Sequence, residues 1–310
     1  MLSIIVVQYE PDRAALERTL LSILTQDDQD FELIIADDGS RNKRFDSTRA
    51  LLNKYGREAQ LLTLPENRGT VWNLWNGVSH AGGTWVYAIS PGDYLYDTGT
   101  VRWIKACCRR DDVWAAFGKA AYYTQEPQLR QLPGQTPFDR SCYSAEHYRP
   151  QAIKRNMLLY DDGISGACAF YRTSLLRQAL EEMKGRVRYA EDFSLRMFSV
   201  EKIHIHCYDR IVCWYEDNTG VSSSQARMLK DWKAMLRLLR EKFPRDRMVC
   251  LANLYFFNDE RRSKILRGLI GRMIVPQWLP FKRKQKAYQP PVNGRIEELE
   301  RIYHLQEEEQ

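Results

Sequence analysis

The sequence predicts an α/β protein with a mostly parallel, Rossmann-like sheet flanked by helices, followed by a helical C-terminal extension. Three observations predict it. The run Leu2 to Tyr9 is apolar and β-branched in its middle, as suits a strand covered on both faces. Short apolar runs then alternate with helical periodicity as far as residue 118, which is the pattern of stacked βα units. Acidic and amide residues stand directly after the strands, on the edge where open parallel sheets bind ligands.

Each element has its own signal. After Pro11 and Asp12, residues Leu16, Leu20, Ile23 and Leu24 recur at helical spacing, and FELIIA forms the second strand. QLLTL at 60–64 is the third strand, Thr70–His80 a helix, TWVYAIS at 84–90 the fourth strand, 99–109 a helix and VWAAFG at 113–118 a strand. From Lys119 to about Asp162 the periodicity fades into a segment rich in Tyr, Gln, Pro and Arg, read as a long substrate loop. Then come ISGACAFY, a helix from about Thr173, YAEDFSLRMFSV, and two short runs, IHIHCY and IVCWY. Beyond Ser224 the chain turns helical and basic with no clear strand, which sets the expected division at 1–224 and 225–310.

Composition narrows the function. With 310 residues, 44% of them hydrophobic, the chain can bury a large core, so whole-chain disorder is excluded. The net charge of +6 is regional: nine Lys and Arg lie between Arg261 and Lys286 with no acid among them. The seven cysteines form no CxxC pair and no zinc-type cluster, as expected of a reduced cytoplasmic protein. The opening MLSIIVVQYEPD lacks a basic leader, and no run approaches the ~20 apolar residues of a membrane span.

The strand ends carry the chemistry. They read Gln8-Tyr9-Glu10, Asp37-Asp38-Gly39-Ser40, Glu66-Asn67-Arg68-Gly69 and Ser90-Pro91-Gly92-Asp93. Such residues also serve as turn formers and helix caps, but four in succession on one edge favour a site. Neither GxGxxG nor GxxxxGK[ST] occurs. A bound diphosphate would therefore be met through an acid that holds a divalent cation, and Asp93 is placed for that role.

In their order, LSIIVVQYE, LLSILTQ, FELIIADDGS, ENRG, ISPGDYL and YAEDFSLRM resemble the motifs of family 2 glycosyltransferases with the GT-A fold, over roughly residues 1 to 224. The resemblance implies an inverting transferase that takes a sugar from a nucleotide donor, UDP-linked in the commonest case. Its acceptor would be a saccharide or lipid-linked oligosaccharide of cell-surface polysaccharide synthesis. It places Tyr9 and Asp38 at the nucleotide base with Asp37 beside them, and extends the donor site to Glu10, Asn67 and Arg68. It makes Asp93 the ligand of Mg²⁺ or Mn²⁺, and Asp192 of the Glu191–Asp192 pair the base that deprotonates the acceptor. The metal motif departs from the family, since Ser90 and Gly92 stand where acids are common. Glu216 and Asp217 are candidates to complete it.

Other features receive plainer readings. Glu191–Asp192 alone would read as first-turn helix acids. His204 and His206 share a strand face but lack a third ligand, and Trp72 and Trp75 are expected to pack a helix. A dehydrogenase is disfavoured by the missing glycine fingerprint. The other rival, a non-catalytic membrane- or nucleic-acid-binding α/β module, would for RNA want an interleaved basic and aromatic stripe, which residues 1–224 lack, so no nucleic-acid partner is expected. In 263–286, Ile265, Leu266, Leu269, Ile270, Met273 and Ile274 form one helical stripe, with Lys264, Arg267 and Arg272 mostly off it. Pro276, Trp278, Phe281 and a basic cluster follow, an arrangement suited to peripheral contact with anionic lipid. Packing of the stripe on the catalytic domain is the alternative.

Overall fold

The computed structural model describes residues 1–217, 224–257, 268–269, 271–273 and 276–309. Strand β1 (Leu2–Gln8) lies between β2 (Phe31–Asp37) and β4 (Trp85–Ile89), parallel to both, and β3 (Gln60–Thr63) extends the parallel set beyond β2. All seven β1 residues are buried because its two faces feed two cores. Leu2, Ile4 and Val6 meet α1 (Arg13–Leu24), α2 (Phe45–Lys54) and α4 (Thr100–Cys108), while Ile5 and Val7 meet α3 (Thr70–His80) and α6 (Thr173–Met183). The two-residue period of a strand makes that division. Asp12 starts α1 as its N-cap, its carboxylate accepting from the Ala15 amide at 2.9 Å.

Past β4 the sheet becomes mixed. Its order is β3-β2-β1-β4-β8-β6-β9-β5, with β7 (Arg130–Leu132) off β6. Here β8 (Ala169–Arg172) runs antiparallel to both β4 and β6 (Ala115–Thr124), β9 (Ile205–Glu216) runs parallel to β6, and β5 (Tyr94–Leu95) pairs antiparallel with β9. The α/β class stands, with the parallel order confined to the first four strands and the β6–β9 pair.

Two expectations need correction. Residues 119–162 are not one long loop: β6 continues to Thr124, and β7, a turn of 3₁₀ helix at Arg140–Tyr143, α5 (Pro150–Arg155) and a π-helical turn at Asn156–Tyr160 follow. The run KAAYYT supplies the small and aromatic residues that continue a strand, although its alternation is hidden by burial on both faces. Likewise IHIHCY and IVCWY are parts of one strand, β9. Asp209-Arg210 looks like a turn, but the ladder to β6 runs past it through a register shift between Phe117 and Ala120.

After Ser224 the described elements are helices joined by short turns and irregular segments, with one isolated bridge between Pro133 and Val292. Helices α8 (Gln225–Lys242) and α9 (Arg247–Phe257) join the α3/α6 core through Trp232, Met235, Leu236, Val249 and Ala252, alongside α7 (Phe193–Glu201). Helix α10 (Trp278–Ala287) sets Phe281 against Tyr160, ring centroids 4.5 Å apart. Helix α11 (Ile296–Glu309) buries Leu299 and Ile302 with Tyr94, Tyr123 and Trp214. Each such aliphatic side chain contributes about 1.5–3 kcal/mol of transfer free energy.

Candidate active site

The carboxyl ends of β1, β2 and β3 form one wall. Asp37, with no exposed surface, accepts from Gln8 Nε2 at 3.2 Å, the Ser40 amide at 2.9 Å and Thr63 Oγ1 at 3.2 Å. It therefore braces the turn after β2. Asp38 accepts from the amides of Arg68 and Gly69 at 2.8 and 2.7 Å, fixing the ENRG turn at the head of α3. Burial raises its pKa, opposed by these two amides and by Arg188. Gly69, at φ +93°, has no room for a Cβ against Arg188. Arg188 in turn donates to Asn67 Oδ1 at 3.0 Å. Tyr9 is 52% exposed beside this wall, Glu10 accepts from the Arg41 amide at 2.7 Å, and the Arg68 guanidinium lies 4.0 Å from the Trp72 ring centroid.

The turn after β4 carries Asp93. Thr19 of α1 holds this turn, accepting from the Gly92 amide at 3.2 Å and donating to the Asp93 carbonyl at 2.9 Å. Gly92, at φ +100°, brings the backbone so close to Glu216 that a Cβ would stand 2.8 Å from Glu216 Oε2. The Glu216 amide reaches Asp93 Oδ1 at 3.3 Å. Burial, with the Glu216 charge adding to it, pushes the Asp93 carboxyl up to about 8. The structure thus brings Asp93 and Glu216 together across β5 and β9. Asp217 lies beyond the end of β9, its amide bonded to the Tyr123 carbonyl at 2.9 Å.

Glu191 and Asp192 occupy the start of α7. Asp192 is the N-cap residue, yet its side chain makes no capping hydrogen bond. The amides of Asp192 and Phe193 lie near enough to favour its charge without meeting bonding geometry. Burial raises both carboxyls. Glu191 rises further, because Asp192, Asp93 and Asp231 all oppose its ionisation, whereas for Asp192 the Arg196 guanidinium offsets part of the effect. The Asp93 charge is among the causes of the rise at Glu191, so Glu191 lies within electrostatic reach of the β4 turn.

Some contributors escape sequence reasoning. Asp231, buried in α8, accepts from three successive amides, Arg188 at 3.1 Å, Tyr189 at 2.6 Å and Ala190 at 3.1 Å, and so clamps the segment leading into Glu191. Its one signal is an acid inside the apolar stripe of a helix. Arg196 bridges to Asp161 at 2.9 Å and to the Met157 carbonyl. The histidines behave as packing groups: His204 and His206 stack at 4.1 Å between ring centroids, with Tyr148 3.9 Å from His204. Trp75 packs α3 against α6, its indole N–H bonded to Glu181 at 2.8 Å. Among the described residues no three His, Cys, Asp or Glu side chains group as a metal site. The pair Asp93–Glu216 still fits a divalent cation completed by phosphate oxygens, because two adjacent, half-buried carboxylates repel until a cation separates them. Magnesium sites commonly use only one or two protein carboxylates.

Comparison with known proteins identifies the fold. A TarS structure from S. aureus, residues 1–349 in complex with UDP-GlcNAc, superposes with a TM-score of 0.60 at 17% identity, covering 90% of this chain and 78% of that one. The mannosyltransferase PcManGT from Pyrobaculum calidifontis, in complex with GDP-Man and Mn²⁺, gives 0.54 at 15% identity, covering 94% and 76%. At these identities the likeness is one of fold, the GT-A fold. A search of curated proteins returns no match. The model of the family described as "Glycosyl transferase family 2" matches residues 3–180, more than half of the sequence, and the chain belongs to that family.

Proposed function

We propose that this glycosyltransferase moves a sugar from a nucleotide donor, UDP-linked in the first instance, to a hydroxyl of a saccharide or lipid-linked oligosaccharide, inverting the anomeric centre. The observation that carries the reading is the Asp192 carboxyl, which makes no helix-capping hydrogen bond and stands beside Glu191, whose own carboxyl feels the Asp93 charge. Asp192 takes the proton of the acceptor hydroxyl. Its raised pKa brings it toward neutral pH, where a general base is effective, and Arg196 keeps it more acidic than Glu191. Glu191, the more readily protonated of the two, limits the negative charge beside it.

Tyr9 offers its exposed ring to the base, and Asp38 with Arg68, Asn67 and Glu10 shapes the wall around it. Asp93 and Glu216 would hold Mg²⁺ or Mn²⁺, which when bound neutralises charge on the departing diphosphate. We assign residues 1–224 to the catalytic domain and 225–310 to a helical extension that supports it. Trp278 and Phe281, expected at a membrane interface, instead lie against Tyr255 and Tyr160. Residues 263–267, 270 and 274–275 of the proposed lipid-binding segment lie outside the described residues. Among the described residues no helix is long and apolar enough to cross a membrane. A lipid-linked acceptor therefore calls for peripheral contact at the inner face of the cell membrane, through exposed Leu269 and Met273 and the basic end of α10. The deciding experiment is a hydrolysis and transfer screen over UDP-, GDP- and dTDP-sugars with the wild type and Asp192→Asn. Transfer with inversion that the substitution abolishes supports the assignment; turnover within about tenfold of wild type removes Asp192 as the base.

A further inference from the structure

The C-terminal helix α11 reaches the Asp93–Glu216 pair through a chain of buried and half-buried polar side chains. Arg18 in α1 is 8% exposed and Gln306 in α11 is 5% exposed. Arg18 Nη1 donates to Gln306 Oε1 at 2.7 Å, Nε to the Tyr94 hydroxyl at 3.0 Å and Nη2 to Gln125 Oε1 at 3.0 Å. The ring of Tyr303, also on α11, lies against the same guanidinium, 4.5 Å from centroid to carbon. Gln125 then donates from Nε2 to Glu216 Oε1 at 2.6 Å. Gln306 is itself anchored, its Nε2 near the Ala14 carbonyl at 3.3 Å and Glu17 Oε2 at 3.1 Å.

Each link fixes the next. A guanidinium has donors and no acceptor, so Gln125 must turn its oxygen to Arg18 and its NH₂ to the Glu216 carboxyl. A buried guanidinium needs its hydrogen bonds met, and two of the three side-chain oxygens that meet them belong to the glutamines. No carboxylate makes a direct salt bridge to Arg18 among the described residues. The acid at the end of the relay is Glu216. Helix α1 also holds the other half of the pair, through Thr19 on the Gly92–Asp93 turn.

We propose that Gln306, Arg18 and Gln125 are positioning residues that aim the Glu216 carboxyl at the cation beside Asp93, so that α11 is a working part of the donor site. This rests on the reading of Asp93 as a cation ligand. Partners behind metal ligands typically change metal affinity by about 10–100-fold when removed, and the lower figure is expected for a relay of this length.

The test is Mn²⁺ titration of the full-length protein, free Mn²⁺ being read by electron paramagnetic resonance, for wild type, Asp93→Asn, Gln306→Leu, Gln125→Leu and Gln306→Glu. The inference expects Mn²⁺ binding about tenfold weaker in both leucine variants and a smaller loss in Gln306→Glu, which keeps an acceptor for Arg18 but meets the Glu17 carboxylate. In turnover the leucine variants should show a raised KM for the donor with a smaller change in kcat. Far-ultraviolet circular dichroism restricts the comparison to folded protein. If Gln306→Leu misfolds, Gln125→Leu, which leaves α11 untouched, decides alone. Leucine variants within twofold of wild type, beside an Asp93→Asn protein that has lost Mn²⁺, would overturn the relay and leave the cation site standing. Equal Mn²⁺ binding by wild type and Asp93→Asn would overturn both.

Discussion

In the first four strands the acids stand where the backbone delivers them, in the turn that follows a strand, whereas in the helices beyond Ser224 the residues that matter to the site reach it indirectly. Asp37 ends β2, Asp38 follows it, and Asp93 lies in the turn after β4. Asp231 acts by accepting three amides of the segment before Glu191, and Gln306 by bonding to a guanidinium in α1. In the proposed reading, one region offers groups to a substrate and the other holds those groups still. Substitution of Asp93 should therefore change chemistry with little change in stability where metal is bound, whereas substitution of Asp37 or Asp38, which brace turns, or of residues in the second region should change both.

The largest effect is expected at Asp192, which adjoins the clamp yet belongs functionally with the strand-end acids. Asp192→Asn should lower kcat by about 10²-fold or more while urea denaturation stays within about 0.5 kcal/mol of wild type, because no capping bond is lost. A large loss of stability would move Asp192 into the supporting class. Removal of divalent cations by EDTA should come next, with activity restored by Mn²⁺ or Mg²⁺. Activity that persists in EDTA would mean that the Ser90 and Gly92 departures have left a site that works without metal.

Asp231→Leu tests the other region. It strands the amides of Arg188, Tyr189 and Ala190, and an unmet buried donor costs about 1–3 kcal/mol, so a loss of about 3 kcal/mol or more in urea denaturation is expected. Turnover should also fall, by less than in Asp192→Asn. Unchanged stability with full activity would show that the clamp is dispensable.

The contrast explains what could be read in the sequence. The strand-end acids were legible because a strand has a short period and a sharp end, so a polar residue after ISP or IIA has few places to go. The limits of α3, Thr70–His80, were legible for the same reason, lying between a glycine and a small-residue turn. Strand β6 was cut short because its inner stretch is covered on both faces and loses alternation, and β9 was split because Asp209-Arg210 at its middle looks like a turn. Glu216 was visible only as an acid near the right region. Asp231 and Gln306 were not legible as site residues, since one buried acid or amide in a charged helix looks like any other until its partner, about 41 and 288 residues away respectively, is known.

A smaller effect concerns pH and stability without metal. Asp93 titrates near 8 in the folded protein and near 3.8 as an ordinary aspartate, so between these values the folded state binds the extra proton. Stability then falls as pH rises through that window, the slope being set by protons bound in the unfolded state minus those in the folded. Denaturation midpoints in EDTA should decline from pH 5 to pH 8 in wild type more than in Asp93→Asn, and Mn²⁺ should recover more stability at pH 8 than at pH 5. Equal slopes for the two proteins would show that Asp93 is already stabilised as an anion.

The smallest effect on the folded protein is expected at Leu269 and Met273, 47% and 83% exposed and one helical turn apart in sequence. Neither is buried, so Leu269→Ser with Met273→Ser should leave denaturation within about 0.5 kcal/mol of wild type and leave turnover on a soluble acceptor unchanged. If the segment meets lipid, the same pair of substitutions should weaken co-sedimentation with anionic vesicles, since an apolar side chain removed from the interface loses about 0.8 kcal/mol for each CH₂ that was buried there. The exposed Arg283, Lys284 and Lys286 at the end of α10 supply the charge, so binding should also fall as salt rises. Vesicle binding that depends on salt but not on these two apolar residues would reduce the contact to electrostatic attraction. Binding insensitive to both would place the acceptor in solution rather than at a membrane.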